Sequence, residues 1–179
     1  SLRDYCEFAE KSVDENQSLK IIMDKVGVYD CDKLEAKIGK KLNLSYQGVE
    51  SIKPISFLKA LVKLDLTGNI ITDIRGLEKN RNLRKVELSE NLIEDISPLF
   101  SLPSIEKIEA DRTNVASISA GDLPFSLKRL SLKETPYARD MVASAKAPED
   151  SRVRICDSFS RKCVQSSKQE VSWSDSLSM

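Results

Sequence analysis

A segment of 22 residues recurs along the chain without insertion, and this repeat constrains the fold more than any other feature. LVKLDLTGNIITDIRGLEKNRN at 61–82 returns as LRKVELSENLIEDISPLFSLPS at 83–104 and as IEKIEADRTNVASISAGDLPFS at 105–126. The segment 39–60 is in register with these copies, and a partial copy occupies 127–137. Self-similarity at such a period indicates a solenoid of stacked units.

Four columns of apolar residues keep their register through the copies. They are Leu42, Leu64, Val86, Ile108 and Leu130; Leu44, Leu66, Leu88, Ala110 and Leu132; Val49, Ile71, Ile93 and Val115; and Ile52, Ile74, Ile96 and Ile118. The first two columns alternate with polar residues over about five positions, which predicts one short parallel strand per copy. One copy cannot bury its columns alone, so neighbouring copies must stack to form a core.

The pattern LxxLxLxxNxIxxI resembles that of the leucine-rich repeat family in its short form. The resemblance covers 39–137, a little over half of the chain. It implies an α/β repeat solenoid, a short arc with a parallel β-sheet on its concave face. It also implies that the function is non-catalytic recognition of a partner, which we expect to be a protein.

A column of polar residues lies among the apolar columns. By the resemblance, one column is expected to turn inward and bond the backbone: Gln47, Asn69, Asn91, Thr113 and Thr135. A structural role follows, because an unsatisfied buried polar group would cost about 1–3 kcal/mol.

Asn80 is unusual because Leu58 and Leu102 occupy its position in adjacent copies. Either a gap on the convex side or an exposed position would explain it.

The flanks of the repeats are predicted to be caps. Residues 1–38 form a helical N-terminal cap, in which one helix buries the face Leu19, Ile22, Met23 and Val26 between an N-cap at Asn16 and a stop at Gly27. A further helix is predicted to begin with a capping box of Asp32 and Glu35. Residues 138–165 form a C-terminal cap with RVRIC as a strand and CDSFSRKC as a closed loop. The tail 166–179 is either flexible or packs Trp173 on a surface.

Four cysteines lie outside the repeats, two on each side. This segregation favours Cys6–Cys31 and Cys156–Cys163 disulfides, so that the C-terminal cap is disulfide-stapled. The alternative is four unrelated thiols in a cytosolic protein.

A narrower resemblance concerns the cellular location. DCDKLEAKI ahead of LNLSYQGVESI is similar to the N-terminal cap of bacterial exported, internalin-like leucine-rich-repeat proteins. That resemblance implies secretion, the periplasm or the cell surface. The C-terminal cap departs from the same pattern, since Thr135 stands where an asparagine before proline is usual. Because the chain begins at Ser1 without a visible signal sequence, we expect a mature or truncated product.

The strand residues that are not leucine should lie on the concave face, by the same family logic. They form a cationic column beside a largely acidic one, and the predicted partner-binding residues are Lys63, Asp65, Lys85, Glu87, Lys107, Glu109, Asp111 and Arg129. One hypothesis is a docking face for a partner with a mixed charge pattern. The other is a solvated, self-neutralising face, whose surface pairs contribute only about 0–1 kcal/mol each.

Several kinds of chemistry are disfavoured by the composition. The chain has no histidine, so Ser–His and Cys–His nucleophile pairs are impossible. The cysteine spacing does not fit a zinc site, and no glycine-rich phosphate loop is present. The formal net charge is zero, and no apolar run is long enough to cross a bilayer. We therefore expect a monomer with no catalytic residues, cofactor, metal or nucleic-acid partner.

Three other functions stay open at this point. The first is an intracellular scaffold or regulatory subunit with reduced cysteines, which binds through the convex face or the tail. The second is a hydrolase that works with acids or lysines alone. The third is a structural repeat within a longer surface protein.

Overall fold

Five short parallel strands, one for each copy, run in register through the repeats. The computed structural model describes residues 1–9, 16–118, 123–143, 153–157, 162–165 and 171–172. The strands are β1 (Lys41–Asn43), β2 (Lys63–Asp65), β3 (Lys85–Glu87), β4 (Lys107–Glu109) and β5 (Arg129–Ser131). Equivalent residues of successive copies face each other, as Lys41 faces Lys63 and Leu64 faces Val86. The predicted repeat solenoid with a parallel sheet is confirmed, whereas the domain boundaries at residues 38, 137 and 165 stay predictions.

The predicted apolar columns form the core. Every member is buried except Ile118, which is partly buried and packs against the others. Burying a leucine or isoleucine stabilises the fold by about 1.5–3 kcal/mol relative to leaving it exposed. The stacked columns therefore hold the copies together.

Short 3₁₀ helices return the chain from one copy to the next. They span Ile55–Phe57, Arg75–Lys79 and Ser97–Ser101. Each directs apolar side chains inward, and Leu77 and Leu99 are fully buried. A 3₁₀ helix has a tight turn, which lets the chain reach the next strand in few residues.

A buried column of polar side chains, which we name the polar ladder (Asn69, Asn91, Thr113 and Thr135), ties the turns to the core. The Asn69 amide donates to the carbonyl groups of Leu44 (3.0 Å) and Leu66 (2.7 Å), and its oxygen accepts from the Val49 N–H at 2.9 Å. Asn91 repeats this arrangement one copy later. The two threonines instead donate to a carbonyl of their own copy. The structural role predicted for this column is confirmed in these four residues.

Two polar residues differ from expectation. Gln47 is exposed rather than inward, although its amide still donates to the carbonyl groups of Ser45 and Tyr46. Asn80 marks neither a gap nor an exposed position, because it is fully buried. Its amide donates to the carbonyl oxygens of Ile55 (3.0 Å) and Leu58 (2.8 Å) in the preceding copy.

Three helices form the N-terminal cap: α1 (Leu2–Ala9), α2 (Asn16–Val26) and α3 (Cys31–Ile38). The helix α2 ends at Val26, just before the predicted stop at Gly27, where a φ of +70° lets the Val28 N–H reach the Met23 carbonyl at 3.2 Å. The predicted capping box is wrong. The side chain of Asp30 is the N-cap of α3 and accepts from the Asp32 N–H at 2.9 Å.

A disulfide joins the first and third helices of this cap, as the sequence predicted. It links Cys6 to Cys31 with a Cα–Cα distance of 6.4 Å. Leu34 and Ile38 of α3 face the core, so the disulfide also fixes α1 beside the first repeat.

The C-terminal cap extends the sheet. The helix α4 (Pro136–Ala143) follows β5 and was not predicted; the Thr135 hydroxyl caps it by accepting from the Ala138 N–H at 3.1 Å. The strand β6 (Val153–Asp157), predicted from RVRIC, lies parallel to β5.

Two further strands, β7 (Lys162–Gln165) and β8 (Val171–Ser172), continue the sheet in antiparallel pairing. Cys156 and Cys163 occupy facing positions on β6 and β7. A disulfide between them stays a prediction, since their side chains lie outside the described part of the chain. Trp173 also lies outside the described residues.

Candidate functional site

The strand residues that do not enter the core form one face of the sheet, which we name the concave face. Its cationic column is Lys41, Lys63, Lys85, Lys107 and Arg129, aligned residue by residue across the five strands. The second column is Asn43, Asp65, Glu87, Glu109 and Ser131 in the same register. The predicted alignment of the two columns is thus confirmed. Ser131 differs from the other members in that it is buried. A partner-binding role for these residues stays a prediction.

In the middle of the concave face the charges neutralise each other within each strand. Lys85 forms an ion pair with Glu87, and Lys107 pairs with Glu109 at 2.5 Å. The hydrogen bond to Glu87 raises the pKa of Lys85 above its ordinary value. The two residues of each pair are two positions apart, so they lie on the same side of the strand.

At the ends of the concave face the cations are not neutralised in this way. Among the described residues, Lys41, Lys63 and Arg129 are exposed and have no ion-pair partner. Lys41 is followed two positions later by Asn43, which carries no charge. Lys63 is followed by Asp65, whose oxygens accept from the Asn43 amide at 2.9 Å and from a backbone N–H at 3.0 Å.

Asp111, a predicted partner-binding residue, is also committed within the protein. Its Oδ1 accepts from the Ser131 hydroxyl at 2.6 Å and from the Lys133 N–H at 2.8 Å. These bonds fix the turn between the last two copies. The Asp111 carboxylate therefore has fewer free acceptor positions for a partner than the sequence pattern alone suggested.

A depression of about 290 Å³ lies at the N-terminal end of the concave face. Residues of β1, β2 and β3 line it: Lys41, Leu42, Asn43, Lys63, Leu64, Asp65, Lys85 and Glu87. Lys41 and Lys63, two of the three cations without carboxylate partners, therefore border the same depression.

Beside the concave face runs a second row, which we name the ridge: Tyr46, Gly68, Glu90, Arg112 and Glu134. All five have a positive φ, from +54° to +69°. This conformation favours glycine, and for other residues it costs about 1–2 kcal/mol each. The repeat places these residues at the same turn of every copy, immediately after the strand.

The ridge side chains connect neighbouring copies and, through Tyr46, two copies that are not adjacent in sequence. The Tyr46 ring covers Gly68, where a Cβ atom would lie 2.2 Å from it. The Tyr46 hydroxyl donates to Glu90 at 3.1 Å, and the carboxylate at Glu90 raises the pKa of this tyrosine. Arg112 then pairs with Glu90 at 2.9 Å and with Glu134 at 3.1 Å.

The ridge was largely missed from the sequence. Tyr46 and Arg112 are recognisable there as the aromatic and arginine residues nearest to the concave columns, and anchors of protein interfaces are often of these types. Glu90 and Glu134 give no such signal, because their role depends on the turn that brings them beside Arg112. For the positive φ of this column, the sequence clue is Gly68, which stands at the equivalent position of its copy.

No helix in the described part of the chain is both long and apolar enough to cross a membrane. Within the same residues, no cluster of three or more acidic or cysteine side chains could hold a metal ion.

Comparison with known proteins supports the fold. No protein-family model matches the sequence, and no curated protein matches it. Among solved structures, the chain is similar to an internalin (InlF) from Listeria monocytogenes, with 23% identity, a TM-score of 0.54, and coverage of 68% of this chain and 46% of that chain. The functional domain of InlJ from Listeria monocytogenes matches at 21% identity and a TM-score of 0.49, over 58% of this chain and 22% of that one. The chain thus spans less than half of these internalins, and it has the leucine-rich repeat fold.

Proposed function

We propose that this chain is a non-catalytic protein-recognition module of an exported or surface-associated leucine-rich-repeat protein. The partner binds the concave face through Lys63, Asp65, Lys85, Glu87, Lys107, Glu109, Asp111 and Arg129. The observation that carries the proposal is the register of the charged columns, which places like residues at equal intervals across five strands. Such a regular surface can select a partner by charge pattern and raise the association rate. The internalin-like fold supports the same class of function by analogy.

Export is supported by the disulfide between Cys6 and Cys31, because disulfides persist mainly in oxidising compartments. The alternative, an intracellular scaffold, requires reduced cysteines. Alkylation of the denatured protein from its native host, followed by mass measurement, separates the two. We expect no adducts before reduction and four after it. Four adducts without reductant would favour the scaffold.

Charge reversal tests the concave face. We expect the double variant Lys85→Glu/Lys107→Glu to lose the partner captured by the wild type from the native host, as identified by mass spectrometry. The matched control is Lys79→Glu/Arg81→Glu, which makes the same charge change at exposed positions at and just after the 3₁₀ helix of the second copy. Unchanged capture by the concave variant would contradict the site, and equal loss in both variants would indicate a general charge effect.

A further inference from the structure

We propose that the N-terminal end of the concave face is a receptor for carboxylate groups, in which Lys41 and Lys63 bind an acidic segment of the partner protein. This inference rests on the proposed function and assigns the chemistry of its partner. It also adds Lys41, which no other observation connects to recognition.

The first argument is the charge distribution. Lys41 and Lys63 face each other on adjacent strands, and neighbouring strands lie about 4.8 Å apart. Both side chains are exposed, and among the described residues neither has a carboxylate partner. Two adjacent ammonium groups repel each other, and an anion between them removes that repulsion.

The second argument is the reason why Lys41 and Lys63 lack carboxylate partners, whereas the lysines in the middle of the face have them. On β3, Glu87 reaches Lys85 and neutralises it. On β2, the equivalent Asp65 is one methylene shorter, and it accepts from the Asn43 amide instead. On β1, the equivalent residue is Asn43 itself, so the cations of β1 and β2 are left for an external ligand.

The third argument is the shape of the surface. Lys41 and Lys63 border a depression of about 290 Å³, large enough for one or two acidic side chains. A carboxylate held in a depression is partly shielded from water, which strengthens its attraction to the lysines.

A protein carboxylate fits this place better than a nucleic-acid backbone. Asp65 and Glu87 line the same depression and would repel a continuous row of phosphates. Nucleic-acid binding draws most of its affinity from many phosphate contacts, whereas only two cations without partners are present here. Separate carboxylates can approach the lysines and avoid the two acids.

The test uses a fluorescein-labelled hexaglutamate peptide and the full chain, with binding measured by fluorescence anisotropy at low ionic strength. We expect Lys41→Gln/Lys63→Gln to weaken binding about threefold to tenfold. The matched control is Lys79→Gln/Arg81→Gln, which removes two charges at exposed positions outside the concave face and should change binding less than twofold. Because all four side chains lie on the surface, circular dichroism should show both variants folded.

Three outcomes would overturn the inference. They are equal weakening in both double variants, no binding of hexaglutamate beyond that of hexaglutamine, and tighter binding of a hexathymidylate oligonucleotide through the same lysines. None of them bears on partner capture through Lys85 and Lys107. If that capture is charge-sensitive while hexaglutamate fails to bind, the concave-face function stands and the carboxylate receptor is wrong.

Discussion

The polar ladder and the ridge follow the same repeat, yet they hold the copies together in different ways. The ladder is buried, and its asparagines bond backbone groups of two copies. The ridge lies at the surface, where its residues are exposed or half-buried, and its side chains bond one another across copies. Buried backbone groups that lose a partner cannot turn to water, whereas exposed side chains can. Equal periodicity therefore does not mean equal contribution to stability.

The largest expected effect is on the ladder. Asn69→Ala leaves the Val49 N–H and the Leu44 carbonyl without their partners in the core. We expect a loss of about 3 kcal/mol in the free energy of unfolding, measured by urea denaturation. The control is Asn82→Ala, which removes an exposed amide bonded to the Lys59 carbonyl and should cost less than about 0.5 kcal/mol. Similar losses in both variants would break the comparison.

A smaller effect is expected at the end of the ladder. The Thr135 hydroxyl donates to the Leu132 carbonyl and accepts from the first turn of α4, whereas Thr113 makes only the first kind of bond. We expect Thr135→Val to cost about 1–2 kcal/mol and Thr113→Val about 1 kcal/mol, by the same measurement. Equal losses would mean that the cap of α4 contributes nothing.

The ladder and the core could be predicted because their signals are local and repeated. Alternation around Leu64 and Leu66, with Asn69 three positions on, is visible within a single copy. Asn80 could not be interpreted in this way. Its amide bonds the Ile55 carbonyl at the start of the preceding 3₁₀ helix and the Leu58 carbonyl just after it, and the sequence alone does not show that the helix brings both groups within reach of one amide.

The candidate site could also be predicted only in part. The cationic and acidic columns follow from the repeat, but which charges pair depends on side-chain length. Glu87 reaches Lys85, whereas Asp65 does not reach Lys63 and bonds Asn43. The ridge depends on backbone conformation, because the positive φ of Glu90 is what turns its side chain along the row. No propensity of glutamate predicts that conformation.

The ridge glycine offers a third prediction. Gly68 and Gly48 have similar φ angles, +69° and +73°, but only Gly68 lies under the Tyr46 ring. Alanine should cost about 1 kcal/mol at either position because of the backbone conformation. Displacement of the ring should add about 0.5 kcal/mol at Gly68 only, again measured by urea denaturation. If Gly48→Ala is as destabilising as Gly68→Ala, the ring contact contributes nothing to the ridge.

The smallest effect concerns the titration of the ridge. The hydrogen bond to Glu90 raises the pKa of Tyr46 above 10.0, as Asp24 does for Tyr29. We expect Glu90→Gln to lower the pKa of Tyr46, as followed by tyrosinate absorbance with Tyr46→Phe for assignment. Asp24→Asn is the control and should lower only the pKa of Tyr29.

The sign of the linkage follows from the direction of this shift. A tyrosine whose pKa is raised by folding stabilises the protein while it is protonated in both states. The contribution of Tyr46 is therefore complete below about pH 10 and is lost as the pH rises through its pKa in the folded protein. Wild type and Glu90→Gln should differ in urea midpoint below that range and converge above it. A difference that persists at higher pH would mean that Glu90 acts on the ridge through Arg112 and not through the tyrosine.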